Sequence, residues 1–316
     1  NAVAIGYQAA REYQNESAVA IGLYAGYRGQ GTEAVAIGYY AGYTSQGYYA
    51  VAIGKYAGLQ NQGTNAVAIG LQAGKTNQGE NAVAIGAYGE YDGQAGQTGQ
   101  GFNAVAIGYY AGQTNQGFYA VAIGRLAGAI TQGTNAVAIG YQSGGTNQGA
   151  NAVAIGFQAG GNTQAYYAIA IGSQAGANQA TNAVAIGKSA GENSQGNTAV
   201  AIGLYAGGIT QGFNAVAIGN SAGYTSQGTN AVAIGSQAGL SNQGENTLII
   251  NARGSFLNSA TSSACYIAPI RQVLTGNYNV LMYDESNSEV VKSSVDTSPF
   301  NKTFIIDHPK DDAKYL

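Results

Sequence analysis

The stretch Ala136-Val137-Ala138-Ile139-Gly140 decides the fold because it recurs through most of the chain. The same pentapeptide begins at fourteen places, namely residues 2, 18, 34, 50, 66, 82, 104, 120, 136, 152, 183, 199, 215 and 231. A variant begins at Ala168 and a degenerate copy at Thr247, which makes sixteen copies. The copies lie 16 residues apart, except for 22 residues after Ala82 and 15 after Ala168. Self-similarity at a short fixed period indicates a repeat architecture.

A repeat of this length indicates a β coil. The composite repeat reads A-V-A-I-G-x-x-A-G-x-x-x-Q-G-x-N, and we number its positions 1 to 16. Helical repeats need about 33 residues or more. The glycines at positions 5, 9 and 14 interrupt helices and supply the positive φ angles of tight turns. We therefore predict an all-β chain, a parallel β-solenoid of about 16 coils stacked roughly 4.8 Å apart.

The pentapeptide lacks a polar face. In a strand, the Val and Ile at positions 2 and 4 point one way and the two alanines point the other. Parallel strands that are apolar on both faces are typically buried on both. One face lines the coil, and the other predicts self-association, because the chain offers no helix or second sheet to cover it. The residues expected in core or intersubunit packing are Val67, Ile69, Val137 and Ile139. Which face points inward stays open.

Two amide rows run through the repeats. Gln recurs at position 13 and Asn at position 16, and the representatives singled out are Gln62, Gln78, Gln116, Asn65, Asn81 and Asn135. Stacked amides can bond from coil to coil, and Asn also suits a turn with left-handed backbone. We predict structural ladders, with a surface that binds sugar hydroxyls as the alternative. The 24 tyrosines leave a similar choice between coil-to-coil packing and stacking on sugar rings.

The 22-residue repeat carries an insertion over residues 87–103. Insertions in solenoids form loops on one face and often bind ligands. We expect the insertion to contact a receptor or an ion through Tyr88, Glu90, Tyr91 and Asp92. Glu90 and Asp92 are also the carboxylate pair that a solenoid glycan depolymerase would need. Two carboxylates without His or Cys ligands are only a weak signal for a metal ion, so we assign no metal site.

Composition excludes several other classes. Lys and Arg number 12, Asp and Glu number 15, and no basic cluster occurs, so no nucleic-acid partner is expected. Cys265 is the only cysteine and His308 the only histidine. A disulfide framework, a Cys-based zinc site and a catalytic constellation are therefore not expected, and neither is a cofactor. No apolar run of 18 residues occurs, so we expect no membrane insertion. We predict that the protein is not an enzyme.

After Asn251 the period stops. The repeat rod is assigned to residues 1–251 and a β-rich C-terminal cap to residues 252–316, with a hairpin at about residues 279–294. Nearly half of the charged residues lie in this tail. An open solenoid end requires a cap, which favours this role for the tail.

The repeats resemble the heads of trimeric autotransporter adhesins, the YadA-like heads, over about 250 residues. The resemblance rests on Ala-Val-Ala-Ile-Gly preceded by Asn. It implies a left-handed parallel β-roll, a homotrimer with buried Val and Ile, and binding to host surfaces.

The tail resembles a second group of proteins. The pieces Pro269-Ile270-Arg271, Val280-Leu281-Met282-Tyr283-Asp284 and Lys302-Thr303-Phe304-Ile305-Ile306-Asp307-His308-Pro309 are similar to a segment of fibre-like proteins from large DNA viruses and phages. Together the two resemblances imply a structural and adhesive trimeric fibre on a virion or phage surface. Its expected partners are its own copies, other virion or fibre components, and a host cell-surface glycan or protein. The alternative is the head of a bacterial surface adhesin.

Overall fold

The structure is a computed structural model that describes residues 1–86, 95–270, 281–284 and 289–292. Over these residues the chain contains strands and turns and no helix. It divides into two compact units, Asn1–Pro269 and Ile270–Leu316. The first unit is a parallel β-solenoid of about 16 coils, which confirms the predicted repeat architecture.

The pentapeptides form the first sheet of this unit. Its 17 described strands run parallel, each paired with the equivalent strand of the next coil. They are Val3–Ile5, Val19–Ile21, Val35–Ile37, Val51–Ile53, Val67–Ile69, Val83–Ile85, Val105–Ile107, Val121–Ile123, Val137–Ile139, Val153–Ile155, Ile169–Ile171, Val184–Ile186, Val200–Ile202, Val216–Ile218, Val232–Ile234, Leu248–Asn251 and Cys265–Ala268.

The residues around position 12 form the second sheet. Its described strands are Glu12–Gln14, Arg28–Gln30, Thr44–Gln46, Gln60–Gln62, Thr76–Gln78, Thr98–Gln100, Thr114–Gln116, Thr131–Gln132, Asn147–Gln148, Thr163–Gln164, Asn178–Gln179, Thr225–Gln227 and Ser241–Gln243. Single bridges continue the pairing from Gln179 through Gln195 and Gln211 to Gln227. Two parallel sheets therefore run along the solenoid, and turns connect their strands within each coil.

The register places equivalent residues of successive coils on top of each other. Val137 pairs with Val153 and Ile139 with Ile155. The register survives the 22-residue repeat, where Val83 pairs with Val105. It also survives the 15-residue repeat, where Ile169 pairs with Val184. Changes in repeat length are therefore absorbed outside the first sheet.

Alanine fills the coil interior, which answers the question the sequence left open. Ala136 and Ala138 are fully buried, as is the position-8 residue Ser143. Equivalent alanines of successive coils form three buried clusters along the stack. The Val and Ile side chains consequently lie on the outer face of the first sheet. Small side chains make a narrow interior, so each coil buries little apolar area within its own chain.

The turns use left-handed backbone at several positions of each coil. Gly140 has φ +125°, and a Cβ built there would lie 2.5 Å from the carbonyl oxygen of Gly156. Gln142 and Asn135 adopt φ +53° and +58°. Glycine at position 5 is thus required both by backbone conformation and by the closeness of the next coil.

The parallel pairing continues beyond Asn251. Leu248–Asn251 pairs with Cys265–Ala268, and Ala238 forms a bridge with Leu257. Leu257 and Tyr266 pack against the alanine cluster that contains Ile249. This additional coil places larger side chains next to the last buried alanines and belongs to the first unit.

In the second unit, Leu281–Asp284 pairs antiparallel with Glu289–Lys292. This pairing lies within the segment for which the sequence predicts a hairpin.

Candidate binding surfaces

An apolar face covers the outside of the first sheet. Val67 and Val137 are half-buried, while Ile69 and Ile139 each remain 36 % exposed. The same exposure, 36–37 %, recurs at Ile53, Ile123, Ile171, Ile186, Ile218 and Ile234. We call these rows of Val and Ile at positions 2 and 4 the Val/Ile face. Continuous apolar surface of this kind is uncommon on soluble monomers and marks interaction sites.

The position-13 glutamines lie inside the coil. Gln62, Gln78 and Gln116 are each 2 % exposed. The Nε2 atom of Gln62 donates to the carbonyl oxygens of Val51 at 2.8 Å and Ala66 at 3.2 Å. The amide therefore joins the first sheet to the following turn. Because these side chains are closed to solvent, they cannot bind a ligand.

Part of the glutamine row also bonds from coil to coil. Gln116 donates to Gln132 Oε1 at 3.2 Å, and Gln132 donates to Gln148 Oε1 at 3.1 Å. The Oε1 atoms of Gln62, Gln78 and Gln116 are buried and have no hydrogen-bond partner among the described residues. The ladder is thus continuous only over some coils, while the bonds to the main chain recur along the stack.

The position-16 asparagines lie in the turn that precedes each strand of the first sheet. Asn65 Nδ2 donates to Asn81 Oδ1 at 3.0 Å, and Asn135 Nδ2 donates to Asn151 Oδ1 at 3.3 Å. Asn65, Asn81 and Asn135 all have φ between +55° and +58°. These residues combine a left-handed turn with an exposed amide contact between coils.

Tyrosines pack against one another at the N-terminal coils. Tyr27 and Tyr43 stack with ring centroids 5.0 Å apart at 7°, and Tyr24 lies 4.7 Å from Tyr40. Burial raises the pKa of Tyr40 above its usual value of 10.0. A hydrogen bond with Tyr56 is the main cause of the raised pKa of Tyr39. We call Tyr24, Tyr27, Tyr39, Tyr40, Tyr43 and Tyr56 the tyrosine cluster; it packs coil on coil.

An ion pair lies next to this cluster. Arg28 Nε is 2.8 Å from Glu12 Oε2, and the hydrogen bond to Glu12 is the main cause of the raised pKa of Arg28. The guanidinium carbon of Arg28 lies 5.5 Å from the centre of the Tyr27 ring. The N-terminal coils therefore carry a packed aromatic corner rather than an open one.

A groove opens along the same corner further down the stack. Its volume is about 490 Å³. It is lined by Gln113, Leu126, Ala129, Ile130, Gln142, Gly145, Thr146, Gln158, Gly161, Asn162, Gln174, Ala177, Glu192 and Asn193. The walls come from positions 7, 10 and 11 of successive coils, so the groove runs along the stack. We call it the amide groove.

Sequence reasoning missed the amide groove. The signal was present at position 10, where Tyr27 and Tyr43 give way to Gly145 and Gly161. A consensus of the repeats does not show a change that occurs in only a few of them.

The predicted loop contacts lie outside the described residues. Tyr88, Glu90, Tyr91 and Asp92 fall within residues 87–94, which the structure does not describe. Among the residues that are described, His, Cys, Asp and Glu form no group of three or more that could hold a metal ion. In the same part of the chain, no helix has the length and apolar character needed to cross a membrane.

Comparison with known families supports the repeat assignment. The model of the YadA head domain repeat, which spans two copies, matches residues 116–143, 164–190 and 211–238. Searches of curated proteins and of solved structures gave no match. The resemblance of the tail to viral and phage fibre proteins therefore stays a prediction. The matched residues lie in the central and C-terminal coils of the solenoid, and these coils are similar to YadA head repeats.

Proposed function

We propose that this chain forms the rod of a homotrimeric adhesive fibre, in which three solenoids pack side by side through their Val/Ile faces. The single observation that carries the proposal is the direction of the side chains in the first sheet: alanine points into the coil, and the larger Val and Ile point out. A strand arranged in this way gains most of its apolar burial from a neighbouring solenoid.

The number of chains rests on the repeat family. YadA-type head repeats match three segments of the solenoid, and three chains is the assembly that the resemblance implies. In-register stacking makes the Val/Ile face regular, because Val lies on Val and Ile on Ile in most coils, with Ile169 and Leu248 as apolar replacements for Val. A regular face can meet symmetry-related copies of itself along many coils at once.

Adhesion in this fibre comes from avidity. Three copies of each weak surface site are held on one rigid rod, so modest contacts add up without any new contact being formed. We assign host contact to the loop with Tyr88, Glu90, Tyr91 and Asp92 and to exposed corners of the coils. Binding proceeds without turnover, and glycan cleavage by the purified rod that Glu90→Gln abolishes would contradict this.

We place the fibre on a virion or phage surface, together with other fibre components. The alternative is the head of a bacterial surface adhesin, and the match to YadA head repeats supports an adhesin-like fibre in either setting. Flanking sequence distinguishes the two settings. A heptad stalk and a terminal membrane barrel belong to the bacterial protein, whereas a chaperone-like domain after residue 316 belongs to the viral one.

Native mass spectrometry of the purified chain tests the assembly. One chain has a mass of 31.9 kDa, and we expect a species of three chains that persists on dilution. A stable monomer with an unchanged β spectrum would contradict the proposal.

A further inference from the structure

The amide groove owes its existence to small residues that the backbone does not require. Gly145 and Gly161 are absent from the positive-φ residues, so their conformations are open to other residue types. A Cβ added to Gly145 would lie 3.2 Å from the Gln142 carbonyl oxygen, and one added to Gly161 would lie 3.1 Å from that of Gln158. Shifts of a few tenths of an ångström would relieve these contacts.

Other coils fill the same position with large side chains. Position 10 holds Tyr27, Tyr43 and Leu59 in the N-terminal coils. On the C-terminal side, the ring of Tyr224 lies over Gly208, 2.8 Å from where a Cβ would be. The ring of Tyr224 thus bounds the groove on its C-terminal side, whereas Lys75 and Gln97 occupy position 10 in the two coils between Leu59 and the groove.

The groove suits a long ligand with a repeating unit. Its lining spans the coils from Gln113 to Glu192, and five coil-to-coil steps of about 4.8 Å give roughly 24 Å. The amides of Gln142, Gln158 and Gln174 lie at the same position of three successive coils, so they recur once per coil-to-coil step. Gln158 Nε2 donates to Gln142 Oε1 at 2.9 Å, which orients both amides. Each amide has two donors and an acceptor with two lone pairs, so further bonds remain available.

The chemistry of the lining favours an uncharged polyhydroxylated ligand. Glu192 is the only charged residue of the lining. Side-chain amides pair with hydroxyl groups as both donors and acceptors. Leu126, Ala129 and Ile130 add an apolar stretch against which the flat face of a sugar ring can pack. Amides at regular intervals beside apolar surface match a chain of sugar rings.

An extended peptide fits this groove less well. Peptides that bind along sheets usually do so by adding a strand to a free edge. The carbonyl oxygens of Gly145 and Thr146 already accept bonds from Ile130 N at 3.2 Å and Thr131 N at 2.9 Å. The main chain of the groove is therefore used between coils.

From these observations we infer that the amide groove binds a linear, uncharged glycan lying along the coil stack. Gln142, Gln158 and Gln174 bond its hydroxyls, and Gly145 and Gly161 leave room for its rings. This inference names a ligand class for the adhesive fibre and rests on the proposed function. It places one binding site on each chain, which three chains would present together.

The test places tyrosine at position 10 in the groove, because Tyr27 and Tyr43 occupy this position in other coils. The double variant Gly145→Tyr/Gly161→Tyr is compared with Leu59→Tyr, which adds a ring at the same coil position away from the groove. The probes are immobilised cello-, xylo- and malto-oligosaccharides, with heparin and an extended peptide as comparison ligands. Native mass and melting temperature are measured on the same samples.

We expect at least one neutral oligosaccharide to bind the wild type, with affinity nearly independent of salt. The double variant should lose at least tenfold in affinity, and Leu59→Tyr should not. Gln158→Leu leaves the glycines in place and should also weaken binding. It replaces the double variant as the test if that variant folds poorly. Absence of binding to every neutral probe, binding only to heparin or peptide, or full binding by folded groove variants would overturn the inference. A monomer that binds the neutral oligosaccharide would instead overturn the proposed trimer and leave the groove assignment intact.

Discussion

Glycine recurs along the repeats for two different physical reasons. The sequence predicts positive φ at positions 5, 9 and 14, and Gly140 and Gly144 have it, at +125° and +52°. The prediction was wrong for position 14, because Gly117 does not adopt positive φ. A Cβ at Gly117 would instead lie 2.6 Å from the carbonyl carbon of Gly133 in the next coil. Steric closeness between coils cannot be read from a single repeat, whereas turn chemistry can.

Gly117→Ala should therefore destabilise the solenoid by about 1–3 kcal/mol, since the added methyl group meets backbone of the next coil. Gly145→Ala is the matched control, and its effect should stay within about 0.5 kcal/mol. Denaturant unfolding of both variants measures the difference. Equal stabilities would show that the coils separate easily at position 14. Ala165 occupies this position in the repeat before the 15-residue repeat, and Ala180 occupies it in the 15-residue repeat itself; the predicted penalty is for the regularly spaced coils on both sides of Gly117.

At the scale of the strand, the second sheet is held by side chains that cross the coil. Periodicity predicts a row of glutamines and a role in stacking. It does not predict that the amides point inward and bond main-chain carbonyls, because the direction of a side chain near a turn depends on the local φ. Asn61, with φ +54°, interrupts the alternation between Gln60 and Gln62. Gln62 is buried as a result, while Gln60 is exposed.

Gln62→Leu should cost about 1–3 kcal/mol, because the carbonyl oxygens of Val51 and Ala66 lose their bonds to the amide. Gln60→Leu, in the same strand, should change stability by less than about 0.5 kcal/mol. Thermal unfolding of the two variants decides the matter. A larger loss for Gln60→Leu would mean that the crossing bonds contribute little.

The tyrosine cluster predicts a pH dependence. The pKa values of Tyr39 and Tyr40 are raised in the fold, so the folded state holds their protons more tightly than the unfolded chain. This stabilisation is complete below the ordinary pKa of 10.0 and is lost as the pH rises through the higher folded values. Melting temperature should fall above pH 10 less steeply in Tyr39→Phe/Tyr40→Phe than in the wild type. Identical slopes would assign the alkaline loss to other groups.

The whole solenoid follows from the repeat, but its inside and outside do not. Val, Ile and Ala are all apolar, so alternation alone could not tell which side chains of Val137–Ile139 face the interior. The structure settles this through size, since a coil this narrow takes alanine. The loop residues Tyr88, Glu90, Tyr91 and Asp92 remain predictions. The tail was predicted from a resemblance that no comparison matched.

Two aspartates on the Val/Ile face should separate the chains. In Ile123→Asp/Ile139→Asp, association would bury uncompensated charges, at a cost of several kcal/mol. Thr131→Asp/Asn147→Asp places the same charges on exposed positions of the second sheet and is the control. Native mass should show monomers for the first variant and three chains for the second. Trimers in both would exclude the Val/Ile face as the contact between chains.

The shared register of the first sheet has an evolutionary consequence. Because most coils present the same Val-Ala-Ile strand to the coil above and to the coil below, unequal recombination within the gene can duplicate or delete one 16-residue unit without changing the pairing of the first sheet. Shortening by one residue and lengthening by six have both been accommodated in this chain. The length of the solenoid can therefore change during evolution in steps of one coil, independently of the surface that each coil displays.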